Sequence, residues 1–170
     1  MEIGDLLRGQ YEQGHRILKG VLADVPADLL NVSRGQGTLG SIGSIYAHIV
    51  FAEDTLMSAF RGEPTLYEAG AWADRLGIPM PGAFQTPEWS AAVNLVPAVF
   101  DDYASAVFAA TEQLAGSLTG SDLERMVEGI MGRPAPAVVL VGNVGVIHIA
   151  EHAGEIAALK GVRGLKGLGF

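Results

Sequence analysis

Two histidines, His148 and His152, stand four residues apart in a stretch whose other inward positions are apolar. The stretch reads Val141, Val144, Gly145, His148, His152, Ile156 and Leu159, one face of an α-helix at i, i+3, i+4 spacing. Imidazoles occupy places that Val or Leu would ordinarily take. On a helix, four residues rise only ~6 Å and the two rings point the same way, so they can share one ion. On a strand the same rings would stand ~13 Å apart and could not. The chain has four histidines in all, and a third, His48, lies beside Ile45, Ile49 and Ala52 in another helix-like segment.

Imidazole is the commonest protein ligand for zinc and also suits nickel, iron and copper. Three protein ligands leave a fourth position for water or substrate, which separates a catalytic site from a closed structural one. His48, His148 and His152 are therefore the candidate ligands of a divalent metal, with zinc or nickel first and iron next. The bland reading makes each a packed histidine bonded to a backbone carbonyl or a carboxylate. Glu155, three residues after His152, is placed to hold a ligand ring. Glu151 sits on the flank of the pair. These two glutamates are the candidates for moving protons.

Other patterns carry less. His148-Ile-Ala-Glu151-His152 spells the inverted zinc-peptidase signature H-x-x-E-H, but those enzymes draw a third, carboxylate ligand from far downstream, and 18 residues follow His152. Gly35-Gln-Gly37-Thr-Leu-Gly40 spells G-x-G-x-x-G without the preceding strand that a dinucleotide site requires, and reads as a loop. His15, between Tyr11 and Leu18, reads as a half-buried core-edge residue. Trp72 and Trp89 fall in or near a long connection, where they anchor it or wall a pocket.

Four helix-length segments must position these residues. The first spans Ile3 to Ala23, with Ile3, Leu6, Leu7, Ile17, Leu18, Val21 and Leu22 on its apolar stripe. The second runs from Leu39 to Arg61, with Thr38 and Ser41 as candidate caps. A long connection holding Pro64, Pro79 and Pro81 follows, with a short helix between Leu66 and Leu76. Thr86-Pro87-Glu88 opens a third segment that Pro97 restarts, giving a helix from Val96 to Leu118. Gly120-Ser121-Asp122 reads as a turn, and Arg125 to Pro136 as a short hairpin around Gly132. The fourth helix runs from Ala137 to Lys160. Its first residues, Val138 to Val141, favour a strand in isolation, but the stripe from Val141 to Leu159 has a period of 3.6. Lys160, Arg163 and Lys166 fall at or beyond its C-terminus, where the dipole favours cations. The expectation is a single all-α domain over residues 1–170, a four-helix bundle with a long crossover between helices 2 and 3.

Composition narrows the function classes. An apolar share of 49% against 18% charged residues describes a globular chain. A net charge of −8 argues against nucleic-acid and anionic-membrane partners. The absence of cysteine excludes disulfides, zinc fingers and thiol nucleophiles and fits a reducing, cytoplasmic setting. The acidic start, Met1-Glu2-Ile3-Gly4-Asp5, is unlike a signal peptide. The longest apolar run, Ala135 to Ala150, broken by Gly142, Asn143, Gly145 and His148, reads as too short and too polar to span a membrane.

Two segments carry a family resemblance. Leu39-Gly-Ser-Ile-Gly-Ser-Ile-Tyr-Ala-His48-Ile-Val-Phe-Ala-Glu53-Asp54, followed by Phe60-Arg61-Gly62, resembles the second helix of the DinB-like family, which carries one histidine ligand. His148-Ile-Ala-Glu-His152-Ala-Gly154-Glu155-Ile156-Ala-Ala-Leu-Lys160-Gly161 resembles that family's final helix. The two lie ~100 residues apart in the family's order, so the likeness covers nearly the whole chain. The resemblance implies a bundle in up-down-down-up order and a divalent metal held by His48, His148 and His152. It also implies a homodimer and, in some members, a low-molecular-weight thiol as cosubstrate. In one departure, Glu151-His152-Ala153-Gly154-Glu155 stands where the commoner family form has HHRGQ, which removes a basic group beside the site. The leading expectation is a metal-dependent enzyme acting on a small molecule, a thiol-dependent transferase or a hydrolase. The rivals are a non-catalytic metal- or ligand-binding helical bundle and, more distantly, a haem-binding one.

Overall fold

The computed structural model describes residues 2–32, 40–82, 85–128 and 133–168. In chain order the elements are α1 (Ile3–Leu22), α2 (Ala27–Leu30), α3 (Ile42–Arg61), α4 (Leu66–Ala69), α5 (Trp72–Leu76), α6 (Pro87–Ala92), α7 (Pro97–Ser117) and α8 (Gly120–Glu124). A two-stranded pair follows, β1 (Met126–Val127) with β2 (Ala135–Pro136), and then α9 (Ala137–Val139), a π-helical stretch (Leu140–Ile147) and α10 (His148–Val162). The protein is all-α apart from the small antiparallel pair, in which Met126 faces Pro136 and Val127 faces Ala135. Gly132, about which the hairpin was expected to turn, lies outside the described residues.

α1 buries Leu7, Tyr11, Gly14, Leu18 and Val21, alternating steps of four and three residues that keep one seam inward. Ile3 and Leu6, expected on the stripe, are exposed instead, because the seam passes through Gly4 and Leu7. α3 starts at Ser41, whose hydroxyl accepts from the Ser44 amide at 3.0 Å, and ends at Gly62 in the left-handed region with φ of 68°. Thr38, the other expected cap, lies outside the described residues. α1 packs on α7 and α10, and α3 packs on the same two helices, so the core lies among these four.

The crossover between α3 and α7 is pinned rather than loose. The buried Asp54 carboxylate accepts from the amides of Leu66 and Tyr67 at 2.8 and 2.9 Å and from the Tyr103 hydroxyl at 2.7 Å. Trp89 packs on Phe51 and donates its indole N–H to the Pro79 carbonyl at 2.8 Å, while Trp72 packs on Tyr103. Both tryptophans therefore anchor the connection. The single short helix expected over Leu66 to Leu76 is two, α4 and α5.

Three expectations need correction. Gly120-Ser121-Asp122 is not a turn but the start of α8, because Thr119 and Asp122 form a reciprocal capping box that nucleates helix there. Lys160 is not at a solvated helix end. Its ammonium is buried and donates to the Val21 carbonyl at 2.6 Å and to Asp24, serving the C-terminus of α1. The last helical run is continuous over Ala137–Val162, 26 residues, rather than ending at Lys160. It passes for a membrane span by length and composition alone, as core helices also do, and it packs on α1 and α3. The polar interruptions that argued against a span do not break the helix.

Candidate metal centre

The π-helical stretch hands over to α10 at His148, and from there α10 is regular, which puts His152 one turn further on the same face. α3 packs against this face and carries His48 to it. One ring nitrogen from each of the three histidines lies within 4.8 Å of the other two. The rings meet edge to face, with centroids 4.8 Å apart for His48 and His148, 5.0 Å for His48 and His152, and 4.5 Å for His148 and His152.

The Nε2 atoms of His48 and His148 face each other at 2.9 Å. That contact needs a proton on one nitrogen and a bare lone pair on the other, so at least one of the two rings is neutral. Burial pushes the pKa of His48 down from 6.5 to about 4 and that of His148 to about 3, and repulsion from His152 adds to both. Neutral imidazole is the form that binds metal. The buried Nδ1 of His48 has no hydrogen-bond partner among the described residues. Leaving such a group unpaired costs about 1–3 kcal/mol.

His152 turns its Nδ1 to the Glu155 carboxylate at 2.7 Å. This is the arrangement in which a carboxylate fixes the tautomer and leaves Nε2 free for an ion. The His152 side chain is 24% exposed, so solvent reaches this edge of the cluster. Glu155 is thus the expected orienting group. Glu151 is exposed, on the flank of α10 away from its buried residues. The donor set fits a divalent ion of the zinc, nickel or iron type: three imidazoles, two of them held neutral by burial, convergent and reachable from one side.

His15 does not join them. It is fully buried rather than at the core edge, because α3 and α7 close over it with carboxylates. Its Nδ1 meets Glu112 at 2.7 Å and its Nε2 meets the two oxygens of Glu53 at 3.0 and 3.2 Å, while its ring stacks on Phe108 at 4.0 Å. Burial works to lower its pKa, yet the hydrogen bonds and charges of Glu53 and Glu112 prevail and raise it. This cluster was missed in the sequence. The available signal was Glu53 between the apolar Val50 and Met57, and Glu112 between Phe108 and Ala115, at helical spacing. Gly40 is described, but the rest of the glycine-rich segment lies outside the described residues.

No family model and no curated protein matches this chain. Among solved structures it is similar to a conserved protein from Enterococcus faecalis. That likeness has a TM-score of 0.77 at 18% identity and covers 95% of this chain and 99% of the other. The two share a fold.

Proposed function

We propose that this chain is a DinB-like four-helix bundle in up-down-down-up order that binds one divalent metal ion through His48, His148 and His152 and acts on a small molecule. The observation that carries the reading is the convergence of three imidazoles from two helices, with Glu155 orienting one of them. The contacts along each helix pair support the order. His15 meets Glu112 and Lys19 lies over Phe108, so α1 and α7 are antiparallel. Tyr46 bonds Asp101 and Asp54 bonds Tyr103, so α3 and α7 run the same way. Tyr11 meets Val141 and Lys160 meets Val21, so α10 runs with α1.

A divalent ion held there would lower the pKa of a bound water or a low-molecular-weight thiol, giving a nucleophile near neutral pH. The chain's own part is to keep the His48 and His148 rings unprotonated by burial, to hold His152 by its Nδ1, and to leave one side open to solvent. A second reading, metal binding without catalysis, is favoured by the commitment of the Glu155 carboxylate to His152.

Elemental analysis of protein purified without an affinity tag tests the proposal. One zinc, nickel or iron per chain is expected in the wild type, and His152→Ala should lose it. Full occupancy in that variant would remove His152 from the ligand set. Turnover of thiol-dependent transfer or of hydrolysis by the loaded protein then separates the two readings.

A further inference from the structure

The segment just before the candidate ligands is the least ordinary part of the backbone. Leu140–Ile147 winds as a π-helix through eight residues, where such windings are usually single turns and often mark functional sites. Residues before it are tied to the neighbourhood of α8, since the Ala137 amide donates to the Arg125 carbonyl at 2.8 Å. Residues after it are α10 with its two histidines. The winding of the stretch therefore sets how far His148 and His152 are rotated about their helix axis toward His48.

A π-helix needs support from outside, and here α1 supplies it. Tyr11 is fully buried, and its hydroxyl donates to the Val141 carbonyl at 3.1 Å. The same hydroxyl presses on Gly145 so closely that a Cβ there would lie 1.8 Å from the oxygen and 2.6 Å from Cζ. Only glycine leaves room for it. Burial, and secondarily the charge of Glu53, raises the Tyr11 pKa, so the phenol keeps its proton. One turn along α1 stands His15, 5.9 Å from the Tyr11 ring and held by Glu53 and Glu112. The phenol is thus carried on a helix locked to both α3 and α7.

We propose that Tyr11 is a positioning residue for the metal centre: through Val141 and Gly145 it holds the winding that aims His148 and His152 at His48. This rests on reading the three histidines as ligands. Two measurements on the full chain separate the claims, cobalt(II) titration followed by its visible absorption, and the proton Overhauser contact between the His48 and His148 rings without metal. Tyr11→Phe keeps the ring and loses the hydroxyl. It should weaken cobalt binding about tenfold, the effect of one hydrogen bond, and weaken the ring contact at a temperature where the variant is fully folded. Gly145→Ala should weaken both further. Its effect should shrink in a Tyr11→Leu background, whose side chain is shorter. If the wild type takes up no cobalt but Tyr11→Phe still loses the ring contact, the metal reading fails and the positioning role stands. Unchanged affinity and unchanged ring contact in Tyr11→Phe would overturn the positioning role and leave the metal reading intact. Should Gly145→Ala not fold, Tyr11→Phe alone decides.

Discussion

His15 and His48 both sit on inward helix faces, yet one is clamped between two carboxylates and the other faces two more imidazoles. At His15 each ring nitrogen has an acidic partner, so the pKa rises and the charged ring binds three helices together. At His48 the neighbours are His148 and His152, the pKa falls to about 4, and one buried nitrogen has no partner among the described residues. A place on an inward helix face, then, does not fix a histidine's role. A histidine whose charge is compensated is holding a fold together. A group of histidines in which burial keeps two rings neutral is the kind of site that a cation would fit.

The sharpest way to break this contrast is to delete one ring from each cluster. His15→Ala leaves Glu53 buried without its partner and should cost about 3–5 kcal/mol in denaturant unfolding. His148→Ala removes an uncharged imidazole and leaves the His48 Nε2 without that partner, and should cost less, about 1–3 kcal/mol. Equal losses in the two variants would erase the distinction. A comparable effect, on binding rather than on folding, is expected from Glu155→Ala, which frees His152 to rotate. Metal affinity should fall 10- to 100-fold, the usual consequence of losing a ligand's orienting partner. An unchanged titration curve would make that contact incidental.

Acid and base then sharpen the contrast with opposite signs. His48 and His148 have folded pKa values of about 4 and about 3, below the ordinary 6.5. The unfolded chain binds their protons first, so their contribution to stability is present above about 6.5 and is lost as the pH falls toward those values. His15 has a raised pKa, so its contribution is present below about 6.5 and is lost as the pH rises through the folded value. Imidazole proton shifts followed by NMR should show His15 still charged where His48 and His148 are neutral. A common midpoint near 6.5 for all three would refute the assignment.

Much of this was legible beforehand, for a physical reason. A histidine pair at i, i+4 inside an apolar stripe is a local pattern, so the clustering of His148 and His152 was readable, and His48 followed from its own stripe. The four long helices were equally readable because each carries its period within its own residues. The His15 clamp was not, since its carboxylates arrive from α3 and α7 and no local spacing links them. The π-helical winding was hidden too, because its support is Tyr11, 130 residues upstream of Val141. By contrast α8 could have been found, as Thr119 and Asp122 stand at capping-box spacing.

Anomalous diffraction from crystals of the untagged, zinc-loaded protein addresses the central claim without intermediaries. The account predicts a single peak about 2.0–2.1 Å from one nitrogen of each of His48, His148 and His152, with Glu155 still on the far nitrogen of His152. A map in which those three rings bond only to one another, with zinc absent or bound elsewhere, would contradict it.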